Sequence, residues 1–166
     1  VNAAMTIGDW NQITATAGTL TIDSAVDADA NIRFYGVNAG VANFGAAWNS
    51  FKETITNKAQ LGNNVKLRSK EDMTVRAKST HTGDLKGNNI TGNLVGGDDV
   101  LNTYNDADVT STVTIGTGFD AAGSSLTLEA LNTDNFLCRA EKVTISLGMA
   151  PYSRNAFHSV GSSNLE

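Results

Sequence analysis

Three short stretches decide the fold: residues 20–24 read LTIDS, residues 73–77 read MTVRA and residues 126–130 read LTLEA. Each stretch begins 53 residues after the one before it. Within each, apolar or small residues alternate with polar or charged ones, which is typical of a β-strand with one face inward and one outward. A strand pattern that returns at a constant period predicts stacked structural repeats.

Two further markers repeat at nearly the same period. An asparagine followed two positions later by an aromatic residue recurs every 53 residues, at Asn49 and Phe51, Asn102 and Tyr104, and Asn155 and Phe157. An apolar residue followed by glycine recurs every 54 residues, at Ile7-Gly8, Leu61-Gly62 and Ile115-Gly116. One residue is therefore gained and lost within each copy, most simply in the turn after the glycine.

The markers predict a single array of about three 53-residue repeats in residues 1–164. The approximate copies are 1–54, 55–108 and 109–164, cut out of phase. The last two residues, Leu165 and Glu166, are typical of a cloning scar and are left out of the array.

A unit of this kind cannot close a core alone, so neighbouring copies must cover each other's strand edges. The prediction is an all-β fold, a right-handed parallel β-solenoid, in which residues one period apart lie over one another. Three apolar ladders are predicted to face inward: Leu20, Met73 and Leu126; Ile22, Val75 and Leu128; and Ile7, Leu61 and Ile115. The predicted outward ladder is Thr21, Thr74 and Thr127. An amide ladder of Asn49, Asn102 and Asn155 and an aromatic column of Phe51, Tyr104 and Phe157 complete the set.

Charged residues alternate in sign at the same period. Asp23, Arg76 and Glu129 follow one another at steps of 53 residues, and Lys66 and Asp120 are separated by 54. Opposite charges that face each other across neighbouring strands stabilise a sheet modestly, whereas like charges oppose pairing. The alternation therefore favours axial stacking.

The stretch 39–51 leaves a helix open as an alternative. Its apolar side chains recur at helical spacing, at Val41, Phe44, Trp48 and Phe51. The matching part of the second copy reads GGDD at residues 96–99, which is poor helix-forming sequence. Because equivalent positions should share one structure, we expect strand or irregular backbone in both copies.

Composition argues against several classes of protein. The net charge of −5 is unlike that of a basic nucleic-acid-binding chain, so no nucleic-acid partner is expected. Apolar runs stay well below the roughly 18 residues of a membrane-spanning helix, so we expect no membrane insertion of this segment. A single cysteine, Cys138, excludes an internal disulfide framework and a multi-cysteine zinc site.

Few residues carry recognisable chemistry. His81 lies in the polar stretch 78–84 and is interpreted as a solvated loop histidine. Nucleophile-elbow, phosphate-loop and dinucleotide signatures are absent from the sequence, so we expect no catalysis and no cofactor. Four aspartates could gather at one turn and bind calcium, with a solvated acidic turn as the alternative; they are Asp98, Asp99, Asp106 and Asp108.

A basic stripe has two interpretations. Lys66, Arg68 and Lys70 alternate along the chain and share one outward face if the backbone is extended. That stripe could meet an anionic glycan or an acidic face of a neighbouring molecule. It could also simply provide solubility and protect a strand edge against further pairing.

Parts of the sequence resemble the repeats of very large secreted bacterial adhesins, the filamentous haemagglutinin and leukotoxin-like filamentous adhesin group. Ala47-Trp48-Asn49 followed by Lys52-Glu53-Thr54-Ile55 resembles one arm of that repeat. Residues 109–130, VTSTVTIGTGFDAAGSSLTLEA, resemble the rest, with an Ile-Gly turn, an Ala-Ala-Gly turn and an alternating strand ending in Ala. The resemblance covers most of residues 1–135 and weakens after Asn135.

The resemblance implies export, a secreted or cell-surface location on a bacterium, and a long stalk, and it implies no catalytic residues. The expected function is a structural and adhesive stalk segment that meets a protein or glycan on a host or neighbouring cell. Exposed strand edges also lead us to expect end-to-end self-association. Two alternatives stay open: a parallel β-helix enzyme that degrades polysaccharide with paired carboxylates, and a phage or surface-fibre module.

Overall fold

The computed structural model describes residues 1–41, 45–93, 99–145 and 152–165, and in those ranges the chain is all-β with no helix. The first five strands are β1 (Asn2–Ile7), β2 (Gln12–Ala15), β3 (Leu20–Gly40), β4 (Gly45–Leu61) and β5 (Lys66–Ser69). The other five are β6 (Met73–Asn93), β7 (Asp99–Ile115), β8 (Asp120–Ala122), β9 (Leu126–Ile145) and β10 (Tyr152–Leu165). The helical alternative for the stretch 39–51 is wrong wherever that stretch is described, because β3 runs to Gly40 and β4 begins at Gly45.

The strands form three parallel sheets, and each sheet takes every third strand of the chain. The orders are β1-β4-β7-β10 (sheet A), β2-β5-β8 (sheet B) and β3-β6-β9 (sheet C). Paired residues are 54 positions apart from β1 to β7 and throughout sheet B, and 53 apart throughout sheet C. The chain therefore visits the three sheets in turn and returns to each one period later.

The backbone register confirms which residues of the predicted ladders lie beside one another. Three columns start sheet C: Leu20, Met73 and Leu126; Thr21, Thr74 and Thr127; and Ile22, Val75 and Leu128. In sheet A, Ile7, Leu61 and Ile115 form one column. Residues 53 or 54 positions apart are thus side by side, as the repeat markers predict.

The inward ladders of sheet C are not buried evenly, and the third copy departs from the prediction. Met73 in the middle copy is 2% exposed, whereas Leu126 is 37% exposed and Leu128 is only half-buried. The expectation that Leu126 and Leu128 are interior residues is therefore wrong for Leu126 and only partly correct for Leu128, which packs against the apolar core. The reason is that β9 is an edge strand of sheet C and has a described neighbour on one side only.

The outward threonine ladder is also uneven. Thr74 in the middle strand is half-buried, whereas Thr21 and Thr127 in the two edge strands are exposed. Thr127 therefore lies outward as predicted, but it has a threonine neighbour on one side only, and its side chain is left to solvent. The prediction of a continuous ladder is wrong at Thr127, where the described column ends.

The predicted amide ladder and aromatic column are wrong by one residue in the middle copy. Asn49 and Asn155 both pair with Thr103, so Asn102 lies outside their column. Phe51 and Phe157 both pair with Asn105, so Tyr104 is displaced in the same way. The reason is that the step is 54 residues from β4 to β7 but 52 from β7 to β10, and a constant step of 53 misses both.

The turn after the marker glycine has the same length in all copies. Trp10, Asn64 and Gly118 occupy equivalent positions in it, and all three have positive φ, at 61°, 57° and 70°. The stacked turns approach so closely that a Cβ on Gly116 would lie 2.6 Å from the carbonyl of Gly62. The residue is instead lost at the next corner, since four residues separate Ala15 from Leu20 but three separate the paired Ser69 from Met73.

The interior changes character along the sheets. Where sheets A, B and C all contribute, the core is apolar, and we call this the three-sheet end; its buried members are Ile22, Ala59, Leu61, Val65, Leu67, Met73, Val75, Ala77 and Val113. Farther along β3, β6 and β9, only sheets A and C contribute, and we call this the two-sheet half. A smaller apolar cluster lies there, made of Val26, Ala28, Ile55, Ala107 and Val109.

Polar hydrogen bonds tie sheet A to sheet C at the boundary of these regions. The amide nitrogen of Asn57 donates to the carbonyl oxygens of Ser24 and Lys78 at 2.7 and 2.8 Å. The hydroxyl of Ser111 donates to Asn132 Oδ1 at 2.6 Å and lies 2.9 Å from the hydroxyl of Ser79. Because Asn57, Ser79 and Ser111 are fully buried, these bonds replace water that the groups lose on folding.

Candidate functional site

The described residues place a histidine at the centre of the two-sheet half. Strand β6 directs alternate side chains inward, and His81 continues the inward series that starts at Met73. Its exposed fraction is 0%, so the interpretation of His81 as a solvated loop residue is wrong. The stretch 78–84 is polar on both faces, yet it belongs to a long strand.

Two carboxylates contact the two ring nitrogens of His81. Asp134 on β9, its register partner in the next copy, places Oδ1 3.0 Å from Nδ1. Glu53 on β4, in the opposite sheet, places Oε1 2.6 Å from Nε2. We call these three residues the histidine cluster. It connects sheets A and C and also connects two copies of the repeat.

Aromatic rings cover the histidine cluster. The Phe136 ring stacks on the imidazole of His81 with centroids 4.7 Å apart and planes inclined by 22°. Phe136 also stacks on Phe51 at 6.5 Å, and this contact replaces the predicted column of Phe51 with Tyr104. A Cβ at Gly83 would clash with Phe136 and with the carbonyl oxygen of Ala30, so only glycine leaves room for this arrangement.

The contact between Glu53 and His81 is short but poorly directed. Neither Glu53 Oε1 nor His81 Nε2 makes a hydrogen bond, although both atoms are buried. The side chains of Glu53 and Asp134 are 13% and 22% exposed. A dry group of one imidazole and two carboxylates can exchange a proton, and its burial keeps it away from a large substrate.

On the outward face of sheet C, the predicted sign alternation produces contacts. Arg76 Nη2 lies 2.5 Å from Asp23 Oδ2, and Arg76 Nη1 lies 3.9 Å from Glu129 Oε2. The hydrogen bond from Arg76 holds the pKa of Asp23 below its usual value, and the same bond raises the pKa of Arg76. This charge ladder is confirmed.

On sheet B, the predicted opposite pair is in register but bonds differently. Lys66 pairs with Asp120 along the backbone, yet the guanidinium of Arg68 makes the ion pair with the Asp120 carboxylate. The hydrogen bond from Arg68 lowers the pKa of Asp120, with a smaller contribution from the charge of Lys66. Arg68 and Lys70 of the basic stripe also line an open depression beside Ala122 and Gly123.

The four calcium candidates are not brought together where they can be described. Asp106 pairs with Lys52 at 3.2 Å, and Asp108 accepts a hydrogen bond from Thr110 at 3.4 Å. Asp98 lies outside the described residues, and Asp99 is described only as the first residue of β7. Across the described ranges, no group of three or more His, Cys, Asp or Glu side chains is placed to hold a metal ion.

Two features were not predicted or only partly predicted. An apolar column crosses the outward face of sheet C, where Val37, Ile90 and Val143 are paired in register and are 76%, 50% and 55% exposed. Its signal in the sequence is the spacing of 53 residues between branched aliphatic residues. Cys138 is half-buried, and burial raises the pKa of its thiol.

Comparisons with protein-family models, with curated proteins and with solved structures find no match. In the part of the chain that the structure describes, no helix is long and apolar enough to cross a membrane. Function is therefore argued from the repeats, the sheet register and the side-chain contacts.

Proposed function

We propose that this chain is a segment of a right-handed parallel β-solenoid that forms a structural and adhesive stalk in a large exported bacterial protein. The observation that supports the proposal best is the register. Three parallel sheets each receive one strand per copy, and paired residues are 53 or 54 positions apart through β9. Stacking of this kind makes length proportional to the number of copies.

The mechanical role follows from the strand spacing. Each additional copy would lengthen the rod by about 4.8 Å, the distance between hydrogen-bonded strands. Strands β1, β2 and β3 lie at one edge of their sheets, and β8, β9 and β10 lie at the other. Both edges can pair with further strands, either of the same kind or of a second molecule.

The adhesive role rests on the exposed apolar column of Val37, Ile90 and Val143. Tyr35, 73% exposed, is two positions from Val37 on the same outward face. An apolar and aromatic strip on a flat wall fits a protein or glycan on a host or neighbouring cell. We do not propose catalysis, because the close carboxylate pair of Glu53 and Asp134 is enclosed between two sheets.

Rod growth is tested by inserting eight further copies of residues 55–108 after residue 108 and measuring the particle by small-angle scattering. The proposal expects the longest dimension to grow by about 38 Å while the cross-section stays constant. The matched control carries the same insertion with every Val75 equivalent changed to Asp, which buries a charge in each copy. A longer chain that only becomes a wider particle would contradict the proposal.

Adhesion is tested with beads that carry the chain, applied to epithelial cells, to bacterial cells and to a glycan array. We expect attachment that falls at least several-fold with Ile90→Asn, and no change with the control Trp10→Asn, whose side chain is 78% exposed elsewhere. Equal attachment by both variants would refute this face as the adhesive surface. Release of reducing sugar from polysaccharide would favour the enzyme instead.

A further inference from the structure

We propose that the histidine cluster is a proton-operated lock between sheets A and C, which tightens as the pH falls from about 8 towards 5. The lock does not depend on the proposed adhesive function, because it concerns only the cohesion of the fold. Its parts are His81, Glu53 and Asp134.

The argument begins with the number of protons on an imidazole. A neutral ring has one N–H and one lone pair, so it can donate to only one of two carboxylates. Asp134 is hydrogen-bonded to Nδ1 of His81, which leaves a lone pair on Nε2 directed towards the Glu53 side. A carboxylate oxygen 2.6 Å from that nitrogen is then repelled. One added proton, on Nε2 or on Glu53, turns the repulsion into attraction.

Burial makes the added proton matter. His81 is 0% exposed, and the buried Oε1 of Glu53 has no hydrogen-bond donor. An ionised carboxylate held in a dry site without a partner costs several kcal/mol in general, and a nearby positive charge offsets much of that cost. The folded cluster therefore takes up a proton more readily than the same three side chains in water.

Other charged groups around the cluster are directed elsewhere. On β9, Cys138 is a half-buried thiol, and on β6, Asp84 is paired with Arg139 at 3.5 Å. The register neighbours of His81 on β3 and of Glu53 on β7 are the alanines Ala28 and Ala107. The charges that contact His81 are thus the two carboxylates, one from β4 and one from β9.

The sign follows from counting protons in the two states. Around pH 7 an unfolded histidine is mostly neutral and unfolded carboxylates are ionised, so the folded cluster holds the extra proton. Stability is then present at the lower pH and is lost as the pH rises. One proton changes the unfolding equilibrium constant by at most tenfold for each pH unit. Because the three groups titrate together, the transition belongs to the cluster as a whole.

The test is urea unfolding of the full chain between pH 5.5 and 8.5. We expect the unfolding equilibrium constant to rise with pH, by up to tenfold per unit over part of that range. Glu53→Gln should flatten the profile, because its amide can donate to the neutral Nε2. The control is His158→Asn, which changes the other histidine and should leave the profile as it is. A flat profile for the unaltered chain, or an equal slope in Glu53→Gln, overturns the proposal.

A second measurement protects the test if Glu53→Gln does not fold. Hydrogen exchange in the unaltered chain compares amides of residues 79–83, around the lock, with amides of residues 65–69 in the three-sheet end. After correction for the intrinsic effect of pH, protection at 79–83 should decline as the pH rises and protection at 65–69 should decline less. Equal loss of protection in both segments refutes a local lock.

Discussion

The three-sheet end and the two-sheet half are held together by different forces, although the same strands run through both. At the three-sheet end, Leu61, Leu67 and Val75 are 0–1% exposed and their neighbours are apolar. In the two-sheet half, Ser79, His81 and Asn105 are equally buried but polar. Apolar burial is non-directional, whereas hydrogen-bonded groups fix partners and distances. We infer that the first region provides most of the stability and the second fixes the spacing of the two sheets.

The largest effect should come from removing apolar volume at the three-sheet end. Leu61→Ala is expected to lower the free energy of unfolding by about 2–5 kcal/mol, because the lost methyl groups leave a cavity among packed neighbours. The control Val37→Ala is exposed and should stay within about 0.5 kcal/mol. Urea unfolding at pH 7 measures both. A loss below that of the control would show that this core is not the main source of stability.

A smaller loss is expected where polar side chains tie the sheets. Asn57→Ala removes donors to the carbonyls of Ser24 and Lys78 and leaves those acceptors buried, which should cost about 1–3 kcal/mol. The control is Asn31→Ala, whose amide contacts only Asp29 on the surface. If the two variants unfold at the same urea concentration, the boundary hydrogen bonds contribute nothing to the comparison.

The outward charge ladder should contribute less than either region of the interior. Since Arg76 depresses the pKa of Asp23, the contribution is present above the unfolded value of about 3.9 and is lost as the pH falls through the folded value. Asp23→Asn should therefore destabilise the chain slightly at pH 6 and have no effect at pH 2. Added salt should shrink the difference at pH 6, because the pair is exposed. A difference that persists at pH 2 would contradict this assignment.

The smallest effect should be a gain at the turn after the marker glycine. Trp10 holds a left-handed backbone at φ 61° in a place where the third copy has Gly118. Trp10→Gly removes that strain and should stabilise the chain by about 0.5–1 kcal/mol, a few degrees in melting temperature. The reverse change, Gly118→Ala, should destabilise it, since the new Cβ would meet Asn64 Oδ1. Equal melting temperatures for both variants would remove the strain argument.

Sheet C could be predicted from the sequence because its strands carry a clear alternation and a constant step. Leu20, Met73 and Leu126 stand at the start of long strands whose spacing does not vary. The columns of sheet A could not be predicted so well, because the step changes from 54 to 52 residues between its last two strand pairs. A marker such as Asn102 can match in type and still miss its column by one residue.

Burial within a column could not be predicted from the alternation alone. Val75 and Leu128 occupy equivalent positions in the repeat, yet Val75 is fully buried and Leu128 is half-buried. The same holds on the outward face, where Thr74 is half-buried and Thr127 is exposed. Alternation indicates which way a side chain points, whereas its burial also depends on whether strands lie on both sides of it.

The histidine cluster could not be assembled from the sequence, for a physical reason. Glu53 and His81 belong to different sheets, and only tertiary packing decides which residues of two sheets meet. One signal was present: Met73, Val75, Ala77 and Ser79 have the same parity as His81, which places the histidine inward if the strand continues. The polar residues on the opposite face concealed that continuity.

The central claim is that strands one period apart lie side by side in the stated register, and pairs of cysteines test it most directly. In a chain with Cys138→Ala, Thr21→Cys with Thr74→Cys and Lys52→Cys with Asp106→Cys should form disulfides under mild oxidation, because each pair is in register on an outward face. Lys52→Cys with Asn105→Cys, one residue out of register, should stay reduced. Disulfide formation by that displaced pair, with Lys52→Cys and Asp106→Cys remaining reduced, would contradict the account.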